Sequence, residues 1–272
     1  KIMSRSTTLF DEVMEVFYSF RLGNSSRDNQ ICLYLDSNNN LIRINRNSIP
    51  NKEINTIRLI IVSDTHQRHH TLGELPIGDI FIHAGDIMMT NRMITTARSI
   101  EKLIDFNNWL GSINCKYKLV IGGNHDKVFQ DIGIEETQRI LTNATYLQNS
   151  GIEIENLKIW GTPLSDGSSG NNAFQSAEFR DETRNIILNK IHEEGPIDIF
   201  ISHGPNISLV QKIKPRLHVW GHAHGSHGAY PPGETLWTYT FPWVSINASI
   251  MNTKYNPHQF PIVIDLKLDT TK

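Results

Sequence analysis

Five short motifs bring together aspartate, histidine and asparagine side chains that could bind metal ions and catalyse hydrolysis. They supply oxygen and imidazole donors and no thiolate, a set that suits Mn, Fe, Zn, Co or Ni. Seven donors exceed the three or four protein ligands of one tetrahedral zinc, but two ions bridged by one carboxylate use all seven. The motifs are Asp64-Thr65-His66, Gly85-Asp86, Gly123-Asn124-His125-Asp126, Ser202-His203-Gly204 and Gly221-His222-Ala223-His224.

Each motif is weak alone, and the ordered set carries the prediction. Asp-X-His arises by chance, and Gly-Asp is ordinary turn chemistry. Gly-Asn-His-Asp is more specific, because Gly frees the backbone while the side chains offer a ligand, an acid or base and an orienting group. In His222-Ala223-His224 an extended backbone would direct both imidazoles to one face. Five motifs in this order predict a metal centre.

Each motif follows an apolar, β-branched run that reads as a strand. Loops beyond the carboxyl ends of strands collect ligand-binding groups in α/β sheets, so the five motifs should meet in one crevice. Helical spacing predicts helices at residues 92–110 and 180–193, the second ending before Gly195-Pro196. Strand–loop–helix alternation indicates an α/β fold. The strands are predicted at residues 58–62, 80–83, 118–121, 157–160, 198–201, 217–220, 243–247 and 262–266.

The length of 272 residues favours one α/β domain with an N-terminal addition. Residues 1–56 are expected to form this elaboration, a helix plus a hairpin, packed on the main domain at residues 57–272. Apolar residues between Leu9 and Phe20 repeat at helical spacing, and two short apolar runs flank the polar turn at 36–40.

Composition excludes several classes of partner. The formal charge is −2, which does not indicate a nucleic-acid polymer as ligand. Apolar runs are far shorter than the roughly 20 residues of a membrane span. Two cysteines, Cys32 and Cys115, exclude a disulfide scaffold and favour a reducing compartment, so the expected location is cytoplasmic, with the native N-terminus not visible. The oligomeric state is not readable.

The motif order DTH, GD, GNHD, SHG, GHAH resembles the calcineurin-like metallophosphoesterase superfamily over residues 58–266. The stretches IHAGD, DIFISHGP, RLHVWGHAHGSHG and SINAS…PIVIDL are similar to its metallophosphoesterase-domain-containing (MPPED-like) branch, which includes class III phosphodiesterases. The resemblance implies a four-layer α/β/β/α sandwich with a metal pair at the strand ends. It also implies a dinuclear-metal phosphodiesterase that hydrolyses a small phosphodiester, such as a cyclic nucleotide, by attack of a metal-bridging hydroxide.

The resemblance assigns roles to individual residues. His125 would protonate the leaving oxygen, with Asp126 orienting it, and Asn124, His125 and His227 would contact substrate. Some MPPED-like proteins carry Gly at the position of His224, so the histidine in this chain implies a complete metal site. That site would hold two divalent or trivalent metal ions, with Mn as the favoured element. The first metal would be held by Asp64, His66 and His224, the second by Asn124, His203 and His222, and both by the bridging Asp86.

Other branches of the superfamily fit less well. Protein phosphatases carry a GDxVDRG pattern, whereas Asp86 is followed by Ile-Met-Met-Thr, which disfavours a phosphoprotein substrate. The metal-bound tyrosine of purple acid phosphatases is also missing after Asp86. A phosphomonoester is the second choice of substrate. A non-catalytic scaffold is the alternative of a different class, disfavoured because all seven ligands and His125 are present.

Several further residues have two interpretations. His227 could touch substrate at the pocket rim, but a surface-loop histidine is favoured. His69 and His70 could bind phosphate, with a solvated loop favoured over that role. His83 is expected to be hydrogen-bonded in the core. The segment after Trp160 is either a substrate loop, with Trp160 stacking on a base, or an ordinary surface loop.

Overall fold

Two β-sheets stacked face to face form the centre of the chain in a computed structural model, which describes residues 31–89, 95–167 and 170–268. The helices are α1 (Thr96–Ser112), α2 (Lys127–Ile140), α3 (Ala177–Glu194) and α4 (Ile207–Ile213). The strands are β1 (Ile31–Leu35), β2 (Leu41–Asn45), β3 (Thr56–Val62), β4 (Gly78–Ala84), β5 (Cys115–Ile121), β6 (Thr145–Tyr146), β7 (Ser150–Ile154), β8 (Leu157–Thr162), β9 (Ile199–Ser202), β10 (Leu217–Trp220), β11 (Gly228–Tyr230), β12 (Thr235–Leu236), β13 (Tyr239–Thr240), β14 (Val244–Asn247) and β15 (Ile262–Lys267).

The strand order of each sheet places the predicted motif-bearing strands side by side. One sheet has the order β2-β1-β15-β3-β4-β5-β6, and the other has the order β11-β14-β10-β9-β8-β7. β3, β4 and β5 run parallel to one another, as do β8, β9, β10 and β14. Parallel neighbours end at the same edge, so the loops that follow them converge. β12 and β13 form a separate small hairpin.

The alternation of apolar side chains along the strands creates three hydrophobic layers. In β3, Leu59 and Ile61 face the second sheet, whereas Ile60 and Val62 face the helices on the other side. All four are fully buried, which explains why β3 reads as a continuous apolar run rather than an alternating one. A strand buried on both faces needs cover on both faces, and the second sheet and the helices supply it.

The helices cover the outer faces of the two sheets. Phe106 of α1 and Phe129 of α2 pack on the seven-stranded sheet, and Ile187 of α3 and Val210 of α4 pack on the six-stranded sheet. The layers are therefore α/β/β/α, which confirms the predicted fold. No helix among the described residues is long and apolar enough to span a membrane.

Helix ends differ slightly from the predicted ones. α3 begins three residues before the predicted start, because the Ser176 side chain caps it by accepting a hydrogen bond from the Phe179 N–H at 3.1 Å. It ends before Gly195, whose φ of 85° suits glycine, as expected. The described part of α1 starts at Thr96, with Thr95 as its cap; the predicted start at residue 92 lies outside the described residues.

The predicted hairpin is present and belongs to the seven-stranded sheet. Its turn is closed by Asp36, whose Oδ1 accepts backbone N–H groups of Asn38 and Asn40 at 2.8 and 2.9 Å. β1 pairs in parallel with β15, which itself pairs antiparallel with β3. The predicted helix near residues 9–20 lies outside the described residues, and the boundary at residues 56/57 stays a prediction.

A buried ion pair ties this hairpin to the central strands. Asp265 of β15 accepts hydrogen bonds from Arg58 Nε and Nη2 at 2.7 and 2.6 Å, and from Tyr34 Oη at 2.8 Å. The Asp265 side chain is 1% exposed. Burial and the Asp265 carboxylate raise the pKa of Tyr34 to about 12. Three strands therefore share one buried carboxylate.

We expect Asp265→Ala to lower the free energy of unfolding by about 3–5 kcal/mol, because it removes the carboxylate from the largely buried Arg58 guanidinium and leaves the Pro50 carbonyl as its remaining acceptor. Denaturant unfolding followed by circular dichroism would measure the change. Glu155→Gln, which breaks the exposed Lys116–Glu155 pair, is the control and should leave the midpoint unchanged. Equal midpoints for both variants would contradict a role for Asp265 in holding the sheet together.

Candidate metal centre

The five predicted motifs meet where the two sheets end side by side. β3, β4 and β5 lead into the loops of Asp64, Asp86 and Asn124, while β9 and β10 lead into those of His203 and His222. The first three strands belong to one sheet and the last two to the other. The seven predicted ligands therefore come from both sheets and are brought together, as the sequence predicts.

The first group of donors consists of Asp64, His66 and His224. His224 Nε2 lies 3.2 Å from Asp64 Oδ1 and 3.3 Å from His66 Nε2. Two ligand atoms about 2.0–2.2 Å from one ion are separated by roughly this distance. The three side chains thus have the spacing of a shared metal ion, and His66 and Asp64 are almost completely buried.

The second group consists of Asp86, Asn124, His203 and His222. Asn124 Oδ1 lies 3.1 Å from His203 Nε2 and 2.9 Å from His222 Nδ1. His203 Nε2 in turn lies 3.2 Å from Asp86 Oδ2. One carboxylate, one amide oxygen and two imidazoles therefore point at a common position.

Asp86 connects the two groups. Its Oδ2 lies 3.8 Å from His66 Nε2 of the first group and 3.2 Å from His203 Nε2 of the second. Its other oxygen, Oδ1, accepts the backbone N–H of His125 at 2.8 Å, which fixes the carboxylate plane. This is the arrangement that a bridging carboxylate requires. The donor set fits two metal ions, in agreement with the family-based expectation.

Hydrogen bonds behind the imidazoles decide which ring nitrogen faces inward. The Nδ1 atoms of His66, His203 and His224 lie 2.8, 2.9 and 3.2 Å from the carbonyl oxygens of Met88, Ala84 and Asn252. A carbonyl only accepts, so Nδ1 carries the proton and Nε2 is the atom free to bind a metal ion. The Asn124 amide donates to the carbonyl of Asn171 at 2.9 Å, so that its oxygen faces the imidazoles.

Four of the ligand residues have a left-handed backbone. Asp64, His66, Asp86 and His222 have φ values of 54°, 43°, 55° and 66°. Such a conformation costs of order 1–3 kcal/mol for a residue other than glycine, and it concentrates at functional sites. The tight turns after the strands therefore hold these side chains inward at the expense of backbone strain.

Mutual electrostatics keep the carboxylates ionised. Burial alone would raise the pKa of Asp64 and Asp86, but the imidazoles of His224 and His203 lower both below the ordinary range. Burial lowers the pKa of His66 to about 4. Burial acts in the same direction on His203, but the Asp86 charge overcomes it and raises the pKa to about 9. A cation between Asp86 and His203 would replace that proton.

Asp126 holds two ligand loops together. Its carboxylate accepts the backbone N–H groups of Met88 at 2.8 Å, Gly123 at 2.8 Å and Ile87 at 3.2 Å. Burial and the Asp86 charge raise the pKa of Asp126 to about 7. These contacts use both carboxylate oxygens. We therefore revise the role expected of Asp126 from orienting His125 to positioning the loops that carry Asp86 and Asn124.

His125 lies between the ligand cluster and a cavity of about 400 Å³. Its Nε2 is 3.9 Å from Asp86 Oδ2 and 3.2 Å from the Asn171 side-chain amide. The Tyr255 ring packs on His66, His125 and His224, with its hydroxyl 3.4 Å from His125 Nε2. Sequence reasoning missed both neighbours. Asn171 belongs to the segment after Trp160, for which the sequence allows either a substrate loop or an ordinary surface loop, whereas Tyr255 has no motif that could have marked it.

The secondary expectations have different outcomes. His227 is 3% exposed, so it is not a surface-loop histidine, and its contact with substrate stays a prediction. Trp160 is 4% exposed and packs in the core, which removes it as a stacking platform. His69 is buried rather than solvated, whereas His70 is exposed. His83 is buried with its Nε2 3.0 Å from Thr65 Oγ1, as expected for a hydrogen-bonded core residue.

We expect Gly123→Ala to weaken metal binding about 10–100-fold, the usual effect of disturbing the groups around metal ligands. A Cβ atom here would lie 2.3 Å from Asp86 Oδ1 and 2.8 Å from His203 Cδ2, so both ligands must shift. Titration of the metal-free protein with Mn²⁺ would measure the loss. Gly111→Ala in α1, where a Cβ meets only the end of the Asn143 side chain at 3.1 Å, is the control. Unchanged affinity in Gly123→Ala would show that the ligands tolerate this displacement.

Comparison with known proteins agrees with this geometry. A family model described as "Calcineurin-like phosphoesterase" matches residues 57–226. The human "Metallophosphoesterase domain-containing protein 1" is 32% identical over 253 residues, which cover 77% of this chain and 71% of that protein. A UPF0046 protein of Caenorhabditis elegans is 30% identical over 257 residues, covering 80% of this chain and 84% of its own length.

A solved crystal structure aligns with a TM-score of 0.54 at 16% identity, over 77% of this chain and 95% of that chain. At this identity the likeness concerns the fold alone. The matched family segment contains every predicted ligand from Asp64 to His224. With that match and the relatives above, the chain belongs to the calcineurin-like phosphoesterase family and is similar to its metallophosphoesterase-domain-containing proteins.

Proposed function

We propose that the chain is a phosphodiesterase that hydrolyses a small phosphodiester, with a cyclic nucleotide as the favoured class, at a centre of two metal ions. The observation that carries the proposal is the position of His125, whose imidazole stands between the shared Asp86 carboxylate and the cavity. A phosphoester entering the cavity meets His125 at the edge of the metal-binding groups. A proton donor is needed there when the leaving oxygen departs.

Each group of residues at the site would have a separate role in hydrolysis. A metal pair held by the seven ligands, with Mn²⁺ as the favoured ion, would supply an activated water and stabilise charge on the phosphoryl oxygens. His125 would donate a proton from Nε2 to the leaving oxygen. Asn171 and Tyr255 lie beside that nitrogen and would hold the ring in place. Asn124 would both bind metal and border the substrate.

The charge around the cavity favours a diester over a monoester. Among the described residues that line it, Lys127 is the one with a permanent positive charge, and its Nζ lies 2.6 Å from Asp131 Oδ1. A phosphomonoester carries about −1.5 to −2 at neutral pH, whereas a diester carries a single charge. Beyond the metal pair, the described wall thus offers one cation that is already paired with a carboxylate and no further side-chain cation for the second charge of a monoester, which supports the less charged ester.

The cavity wall also suits a base or a similar planar group. Met88, Met89 and Val128 contribute apolar side chains to the wall, and the polar side chains of Gln67 and Asn172 line the same cavity. Adaptable thioether side chains with a few directional polar groups are common in small-molecule sites. These features support a nucleotide as the substrate class.

Metal analysis paired with two model esters tests the proposal. Purified protein should bind about two ions per chain and, with Mn²⁺, cleave bis(p-nitrophenyl) phosphate faster than p-nitrophenyl phosphate. Faster cleavage of the monoester would replace the proposal with a phosphomonoesterase. Absence of both metal uptake and turnover would indicate a scaffold that has kept its ligands. Cyclic nucleotides are the next substrates after a preference for the diester.

A further inference from the structure

A second cluster of metal-binding side chains lies outside the centre described above. It consists of His69 and His70, in the short 3-10 turn after the first ligand loop, and Asp105 of α1. No residue of this cluster belongs to the seven ligands. The cluster connects the 3-10 turn with α1, two elements that are distant in sequence.

The distances from both imidazoles to Asp105 are close to those between two ligands of a single ion. His69 Nε2 lies 3.1 Å from Asp105 Oδ2, and His70 Nε2 lies 3.2 Å from both oxygens of Asp105. Tetrahedral zinc with bonds of about 2.0–2.2 Å separates neighbouring ligand atoms by roughly 3.3–3.6 Å. Small side-chain rotations would therefore bring the three groups into coordination.

The packing of the cluster orders one ligand and leaves the others open. The His69 side chain is 2% exposed, and its ring packs on Phe106 and Trp109, with centroid distances of 5.4 and 5.2 Å. His70 and Asp105 are 61% and 57% exposed. The His70 ring lies 4.2 Å from that of His69. A fixed imidazole with two solvent-facing partners can bind an ion and leave one position for water.

We propose that His69, His70 and Asp105 form a further metal site that takes a zinc-type divalent cation. Two imidazoles and one carboxylate are the protein ligands of well-known three-ligand zinc sites, in which water completes the tetrahedron. Such a donor set favours Zn²⁺, Co²⁺ or Ni²⁺ over Mg²⁺ or Ca²⁺. The proposal is independent of the proposed function, since it concerns a separate set of ligands.

An ion in this site would clamp the wall of the cavity. The turn that carries His69 and His70 begins two residues after Gln67, which lines the cavity, and α1 supplies Ser99 to the same wall. Lys102 of α1 already donates a hydrogen bond to the Gln67 side chain. The cation would add a coordinate link between the same two elements, next to the loop of His66.

Zinc content of matched variants tests the site. Wild-type protein saturated with Zn²⁺ should hold one zinc per chain more than His70→Gln and one more than Asp105→Asn. His192→Gln changes an exposed histidine of α3 and should bind as much zinc as the wild type. Because His70 and Asp105 are exposed, both variants should fold, and circular dichroism would verify this. Equal zinc content in all four proteins, or an equal loss in His192→Gln, would overturn the proposal.

Chemical modification gives a second readout that locates the ion. Diethyl pyrocarbonate should modify His70 in the metal-free wild type, and added Zn²⁺ should block that reaction, as mapped by mass spectrometry. His192 should react to the same extent with and without zinc. Modification of His70 that zinc does not reduce would mean that Asp105 only accepts hydrogen bonds from the two imidazoles.

Discussion

Asp86→Asn is expected to reduce hydrolysis of bis(p-nitrophenyl) phosphate by at least about a thousandfold, since metal ions contribute several kcal/mol to catalysis and each 1.36 kcal/mol is a factor of ten. Asparagine can keep the acceptor at the Oδ1 position for the His125 N–H, and it tolerates the φ of 55°. Its NH₂ group would then replace Oδ2, the oxygen that faces both ligand groups. The exchange removes the bridge with little change in shape.

Metal content measured beside the rate separates loss of the bridge from loss of the fold. We expect the variant to retain its circular dichroism spectrum and to bind fewer metal ions than the wild type. Asp181→Asn, an exposed carboxylate of α3, is the matched control and should change neither quantity. Full activity with a full complement of metal in Asp86→Asn would refute the dinuclear centre.

His125→Ala is expected to retain both metal ions and to slow turnover by about 10²–10⁴, the usual contribution of general acid catalysis. His125 is not one of the seven proposed metal ligands, so the metal content of the variant should stay at the wild-type level. The loss should be smaller for esters with good leaving groups, such as p-nitrophenolate, because these depart without a proton. Rates for a series of aryl phosphodiesters of increasing leaving-group pKa would measure this trend.

Asn171→Ala provides the comparison for His125→Ala. Its amide touches the same Nε2 atom at 3.2 Å but supplies no proton to the leaving group. We expect a smaller loss that follows the same trend with leaving-group pKa, because Asn171 acts through the position of the His125 ring. If His125→Ala lost activity equally across the series, His125 would be a phosphate-binding residue and not the acid.

The parts of the fold that could be predicted from the sequence are those determined by short stretches of neighbouring residues. Buried strands such as β3 and β10 appear as short β-branched runs, and the motif after each run marks its carboxyl end. Parallel pairing then brings the motifs to one edge without further information. The seven candidate metal ligands could therefore be identified from residue type, order and position relative to strands, and the structure brings all seven side chains together.

The remaining features depend on contacts between distant segments. Tyr255 reaches His125 from a segment that carries no motif, and the burial of His69 under Phe106 and Trp109 depends on how α1 packs. Trp160 was a candidate site residue that belongs to the core instead, because the sequence does not distinguish an aromatic residue that binds a ligand from one that packs in the core. Only the placement of α3 and α4 over the six-stranded sheet decides that it belongs to the core.

The position of β15 has a consequence for synthesis of the chain. Ile262 is in register with Leu33 of β1 on one side and with Ile61 of β3 on the other. At about 5–20 residues per second, a ribosome needs roughly 10–40 s to produce the residues between β3 and β15. Throughout that interval the nascent hairpin and β3 each present an unpaired edge, the kind of surface that chaperones shield. The strand that leads into Asp64 and His66 thus gains its second neighbour only after every strand of the six-stranded sheet has been synthesised, so closure of the seven-stranded sheet cannot precede synthesis of the other one.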